Sequence, residues 1–138
     1  MNIETAISIA LQAHKGQTDK GGMPYILHPL AVMNRVSAME EKIAAVLHDV
    51  VEDSDVTLEQ LRQLGFSAEI VEAVQGLTKQ EGESYDAFVA RAAANPISKR
   101  VKIADIQENM DLSRIKEPSA EDLQRLEKYR AALAQLQG

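Results

Sequence analysis

The chain contains no cysteine. Disulfide bridges and thiolate metal sites are therefore excluded, and a transition-metal site would have to be built from imidazole and carboxylate. Aromatic residues make up only 4%, and no alternating apolar–polar run of useful length occurs, so nothing reads as a strand. No apolar run approaches the roughly 20 residues that a membrane span requires. The opening "MNIETAISIALQAHKGQ" lacks the basic start and long apolar stretch of a secretion signal. The expectation is a cytoplasmic protein with no membrane partner. Positive charge is also in deficit, with 15 Lys and Arg against 21 Asp and Glu and a net charge of −6. A nucleic-acid binder would carry a basic stripe, so nucleic acid is not an expected partner. A small anionic ligand remains compatible, because a bound cation and a few lysines can reverse the local field.

What is present is helical periodicity along most of the 138 residues, 45% of them hydrophobic. A chain of this length buries about two-thirds of its unfolded surface, enough for a core, and residues 1–138 read as one all-α domain without repeat or linker. In "IETAISIALQAH" the residues Ile3, Ala6, Ile7, Ala10 and Leu11 fall on one face, and Gly16 can end that helix. "GQTDKGGMPYILHP" is a loop by its Gly and Pro content, with Pro29 placed for a first helical turn. Thr57 and Gln60 have capping-box spacing, Gly65 is a stop, and Ser67, Ser84 and Ser119 are placed as caps. Asn95–Pro96 opens a helix that the pattern extends through "VKIADIQENMDLSRI", and Pro118 breaks the chain before a last helix over 120–136. In that last helix Leu123, Leu126, Tyr129, Leu133 and Leu136 form a stripe that reads as core packing.

The chemistry concentrates in "EEKIAAVLHDVVED", which reads as a single helix through Asp53. His48 and Glu52 are four apart, as are Asp49 and Asp53, so the two pairs form adjacent stripes in apolar surroundings. Burying such groups unpartnered is costly, and a divalent cation would offset that cost. The same spacing also suits the solvated end of a helix. Of the other histidines, His28 is the better ligand, because Pro24 and Pro29 stiffen its loop, whereas His14 at the end of the first helix can cap carbonyls. Lys102, Asp105 and Asn109 share a face of a later helix, a pattern equally ordinary for an exposed stripe.

"AHKGQ", "GMPYILHP", "AAVLHDVVEDSDVT", "GLTK" and "VKIADIQENM" run in this order from residue 13 to about 112. As a set they resemble the HD superfamily of metal-dependent phosphohydrolases, and within it the hydrolase domains of RelA/SpoT-type stringent-response proteins and the small alarmone hydrolases. The resemblance implies that His28, His48, Asp49 and Asp105 hold one divalent ion, typically manganese. It implies that Glu52 and Asp53 position and activate the attacking water. It implies that Asn109 positions the substrate or the site, that Tyr25 shapes the loop carrying His28, and that Lys102 contacts the substrate, with a structural ion pair as its competing role; together with Lys20 these are the expected substrate contacts. The implied reaction is hydrolysis of the 3′-pyrophosphate of guanosine tetra- or pentaphosphate. This chain departs from the family at four positions. Asp19 stands where an arginine is usual, and Ile106, Glu108 and Asp111 replace arginine, histidine and arginine. Lys15, Lys20, Lys79, Lys102 and Arg114 are candidate replacements. Two alternatives follow: the same chemistry on another nucleotide or phosphoester, or a non-catalytic nucleotide-binding module.

Overall fold

In the computed structural model, which describes residues 2–111 and 117–138, six helices open on a side chain that accepts from a free amide of the first turn. Asn2 caps α1 (Ile3–Ala13), Thr57 caps α5 (Leu58–Gln63), Ser67 caps α6 (Ala68–Gly76) and Ser84 caps α7 (Tyr85–Ala93). Asn95 caps α8 (Pro96–Asn109) and Ser119 caps α9 (Ala120–Gln137). Each such cap stabilises its helix by about 1 kcal/mol. The remaining segments are α2 (Leu27–Asn34), α3 (Met39–Leu47) and α4 (Val50–Asp53). No strand occurs among the described residues, where the only extended pairing is an isolated bridge between Thr18 and Pro24. The all-α expectation holds. α8 ends at Asn109 with Met110 as its cap and Asp111 outside the helix, short of the expected extension through "DLSRI"; the rest of that stretch, Arg114 included, lies outside the described residues.

The expected helix through Asp53 is in fact two helices. His48 closes α3 with an amide bond back to the Ala45 carbonyl, and its ring Nδ1 lies 2.5 Å from the same oxygen. Asp49 then sits at φ −103°, ψ −2°, and α4 restarts at Val50. Apolar periodicity runs unbroken across this joint, so the local pattern gives no sign of it.

α3 is the central element and is buried on two sides. Ile43, Val46 and Leu47 pack with Ala6 and Ala10 of α1, Leu61 of α5, and Ile70 and Val74 of α6. Ala44 and Ala45 pack with Val32 of α2 and with Val101 and Ala104 of α8. The small residues on this second side let α2 and α8 approach closely. α6 and α8 also cross tightly: a Cβ on Gly76 would lie 2.7 Å from the Ser98 hydroxyl, which donates to the Ala73 carbonyl at 2.8 Å. On the far side of α8, Ile106 packs with Val89 of α7 and with Ala132 and Leu136 of α9. Two expected core positions are on the surface instead, Leu11 at 49% exposure and Leu123 at 52%.

Candidate metal centre

α2, the α3–α4 joint and α8 each deliver part of one buried polar cluster. His28 is the second residue of α2, and its Nε2 is 2.7 Å from Asp105 Oδ1 on α8. His48 Nε2, at the joint, lies 3.1 Å from Asp49 Oδ2 and 3.3 Å from Asp105 Oδ1. Donor atoms of His28, His48 and Asp49 lie within 4.8 Å of one another, a grouping able to hold a metal ion. Asp105 joins through its contacts with both imidazoles. His28, His48 and Asp105 are each under 9% exposed, while Asp49 is half-buried.

The second layer orients the first. Tyr25 donates its hydroxyl to Asp49 Oδ2 in a short hydrogen bond. Asn109 Nδ2 donates to Asp105 Oδ1 at 3.3 Å, and Lys102 Nζ donates to Asp105 Oδ2 at 3.3 Å. So Lys102, Asp105 and Asn109 do share a helix face, and that face is turned inward. The Lys102 ammonium also rests 4.4 Å from the centroid of the Phe88 ring. It is engaged within the protein rather than offered to a ligand.

One atom of the centre lacks a satisfactory partner. His48 Nδ1 is spent on the Ala45 carbonyl, and Nε2 is fully buried with no aligned hydrogen bond, pressed against two carboxylates. A lone pair in that position requires positive charge beside it. A proton supplies it in the metal-free protein and a divalent cation in the loaded one, and imidazole with carboxylate is an ordinary donor set for such an ion. Burial alone would push the His48 pKa down, but the charges of Asp49 and Asp105 outweigh it and hold the ring well above its usual value. Burial likewise pushes Asp105 up, yet Lys102 and His48 hold it well below the usual carboxylate range.

Glu52 and Asp53 stand at the rim, open to solvent on one side. As successive residues of α4 they point about 100° apart and meet different neighbours. Glu52 accepts the backbone amide of Lys79 in a short hydrogen bond, and Asp53 Oδ2 faces His14 Nδ1 at 3.7 Å. Partial burial raises the pKa of both carboxyls, with Asp49 adding to the rise. His14, read from sequence as a helix-capping residue, is 2% exposed, and its ring lies tilted against that of Tyr25 with centroids 5.0 Å apart. Only its position beside "GQ" hinted at this.

A cavity of about 310 Å³ opens beside the cluster, with Lys20, Tyr25, Asn109, Arg125 and Tyr129 among its lining residues. Three of the four expected substrate contacts thus line it, and Lys102 does not. Lys20 is paired with Asp122 of α9 at 3.0 Å. The acidic departures have partners of their own: Asp19 accepts the amides of Gly21 and Met23 at 2.9 and 3.0 Å, and Glu108 accepts Arg35 Nε at 2.7 Å.

Comparison with known proteins fits this geometry. The chain is 36% identical over 129 residues to a probable GTP pyrophosphokinase of Mycobacterium leprae, covering 84% of this chain and 16% of that protein. It is 32% identical over 120 residues to a guanosine-3′,5′-bis(diphosphate) 3′-pyrophosphohydrolase of Aquifex aeolicus, covering 78% and 17%. It therefore spans about a sixth of the length of these curated relatives. A solved structure of a metazoan ortholog of SpoT, described as hydrolysing ppGpp, superposes with a TM-score of 0.80 over 97% of this chain and 84% of that one, at 21% identity, and so shares the fold. The HD domain profile matches residues 6–108, which take in all four clustered side chains and both rim carboxylates, and the chain belongs to the HD domain family.

Proposed function

We propose that this chain is a metal-dependent phosphohydrolase that removes the 3′-pyrophosphate from guanosine tetra- or pentaphosphate. The observation that carries the reading is the buried imidazole–carboxylate cluster with an orphaned His48 Nε2, flanked by two rim carboxyls of raised pKa. His28, His48, Asp49 and Asp105 would hold the ion, with manganese the metal of this proposal. When bound, it supplies Lewis acidity to the phosphoryl group and acidifies a neighbouring water.

The chain's own residues do the rest. Glu52 and Asp53 orient an attacking water and accept its proton, a role suited to carboxyls lifted toward neutral pH. Tyr25 and Asn109 fix the orientation of Asp49 and Asp105. Lys102 acts as a positioning residue, holding Asp105 ionised while its charge offsets that of the cluster. The cavity beside the cluster receives the nucleotide, with Lys20 and Arg125, which share Asp122 as their ion-pair partner, and the Tyr25 and Tyr129 rings in its wall.

A second reading keeps the chemistry and changes the substrate. The same cavity is lined by Asp19, Glu108, Asp111 and Asp122, an unusual number of acids for a polyanion site. Purified protein loaded with manganese should release pyrophosphate from guanosine tetraphosphate, and Asp105→Ala should abolish the release. Turnover confined to other phosphoesters would favour the second reading. Nucleotide binding without turnover of any substrate would leave a non-catalytic module and defeat both.

A further inference from the structure

We propose that Arg91 is a positioning residue for Glu52, acting through the peptide unit that joins Thr78 to Lys79. The carbonyl of Thr78 and the amide of Lys79 belong to one planar trans unit, so they point in opposite directions and move together. Arg91 Nη2 donates to the Thr78 carbonyl at 2.6 Å. The other edge of the same plane, the Lys79 N–H, donates to Glu52 Oε1. Gripping the oxygen therefore aims the amide at the rim carboxylate.

Arg91 is itself held from several directions. Its Nη1 donates to the Gln75 carbonyl at the end of α6 at 2.7 Å. Glu83 receives Nε at 2.9 Å and Nη2 at 3.0 Å, a two-point pairing, and also accepts the Gln80 amide at 3.0 Å. Both ends of the loop after α6 are thus tied to one guanidinium on α7. A lysine at this position offers a single ammonium and cannot grip two carbonyls and a carboxylate in one plane. None of these hydrogen bonds goes to the four clustered side chains. The network's task is confined to the segment that presents Lys79 N–H.

The catalytic arm of the test rests on the hydrolase reading above, and a spectroscopic arm does not. In full-length protein labelled with ¹⁵N, the Lys79 amide should resonate downfield and exchange slowly, and Glu52→Gln should shift it. Arg91→Lys should move the same resonance and speed its exchange at least about tenfold, while amides of α3 and α8 stay as in the parent. Glu83→Gln, a milder change that loosens Arg91 without removing it, should shift Lys79 in the same direction. For pyrophosphate release, Arg91→Lys should lower kcat about 10- to 100-fold, the range for loss of an orienting partner, with KM within about twofold. A Lys79 amide unchanged in both variants would overturn the proposal whether or not the protein is active. An inactive parent whose Lys79 amide responds as described would defeat the hydrolase reading and leave the positioning role standing.

Discussion

Metal-free protein should lose stability as pH rises above 6.5, and a divalent cation should remove that dependence. The dependence originates at His48. Its folded pKa lies well above 6.5, because Asp49 and Asp105 outweigh the effect of burial. A group raised in this way contributes stability that is fully present below its unfolded pKa and is lost as pH rises through the folded one. Between those values the unfolded chain binds one proton fewer than the native chain. The loss is then about 1.4 kcal/mol per pH unit. The two carboxylates act at the other end: with depressed pKa values, their contribution is present above the ordinary carboxylate range and is lost as pH falls through the folded values. Between pH 6.5 and 8 they stay ionised in both states and cancel.

For 138 residues the unfolding entropy is about 0.29 kcal/mol/K, so Tm should fall about 5 °C per pH unit in chelated protein. Saturating metal leaves His48 neutral in both states and should flatten the slope. At 100 times its Kd the ion adds about 2.7 kcal/mol, or about 9 °C. Binding should also release about one proton per ion near neutral pH. Differential scanning calorimetry of chelated and loaded protein measures the slopes, and titration calorimetry in buffers of different ionisation enthalpy counts the proton. His48→Gln should abolish the chelated slope. A flat profile in chelated parent protein, together with metal binding whose heat ignores the buffer, would refute the reasoning.

Glu52→Gln should retain the metal stoichiometry of the parent and lose about 10²- to 10⁴-fold in pyrophosphate release, because it keeps the shape and removes the base. Equal activity would remove Glu52 from the mechanism. Gly76→Ala should cost about 1–3 kcal/mol by urea unfolding, since its methyl group would meet Ser98 Oγ at 2.7 Å. Adding Ser98→Ala should recover part of that loss, and no recovery would locate the clash elsewhere. Asn95→Ala frees the amides of Ile97 and Ser98 and should cost about 1–2 kcal/mol without changing metal content at saturation.

The features that could be read from the chain are those decided by near neighbours. Thr57 with Gln60, Ser67, Ser84, Asn95 before Pro96, and Ser119 all cap the helices their spacing announces. The convergence of His28, His48-Asp49 and Asp105 was accessible only through the family resemblance, since each segment by itself suits a solvated stripe. Three features lay out of reach because tertiary contacts decide them. The joint at His48–Asp49 lies within an uninterrupted apolar pattern. Leu11 and Leu123 fit their stripes yet stay about half exposed. Arg91 looks like any surface arginine in a last helical turn, and its role depends on a loop that packs back against α7.

The joint explains how one short segment serves two purposes. In a continuous helix, His48 and Glu52 would lie on one stripe and Asp49 and Asp53 on the next, so all four would converge on one region. Three carboxylates crowded against one imidazole would raise one another's pKa values and compete for the same cation. Instead, Asp49 faces Tyr25 and the imidazoles, Glu52 the Lys79 amide and Asp53 His14. The anionic charge divides into a buried pair that stays ionised and a rim pair lifted in pKa, which is the separation that holding an ion and accepting a proton demand. The acids that replace family cations follow a similar logic. Glu108 is engaged by Arg35 and Asp19 by loop amides, so each carries a local partner rather than adding a bare charge to the nucleotide's path. On the proposed reading, selectivity for the substrate rests on the rings of Tyr25 and Tyr129 and on Lys20 and Arg125, which share Asp122.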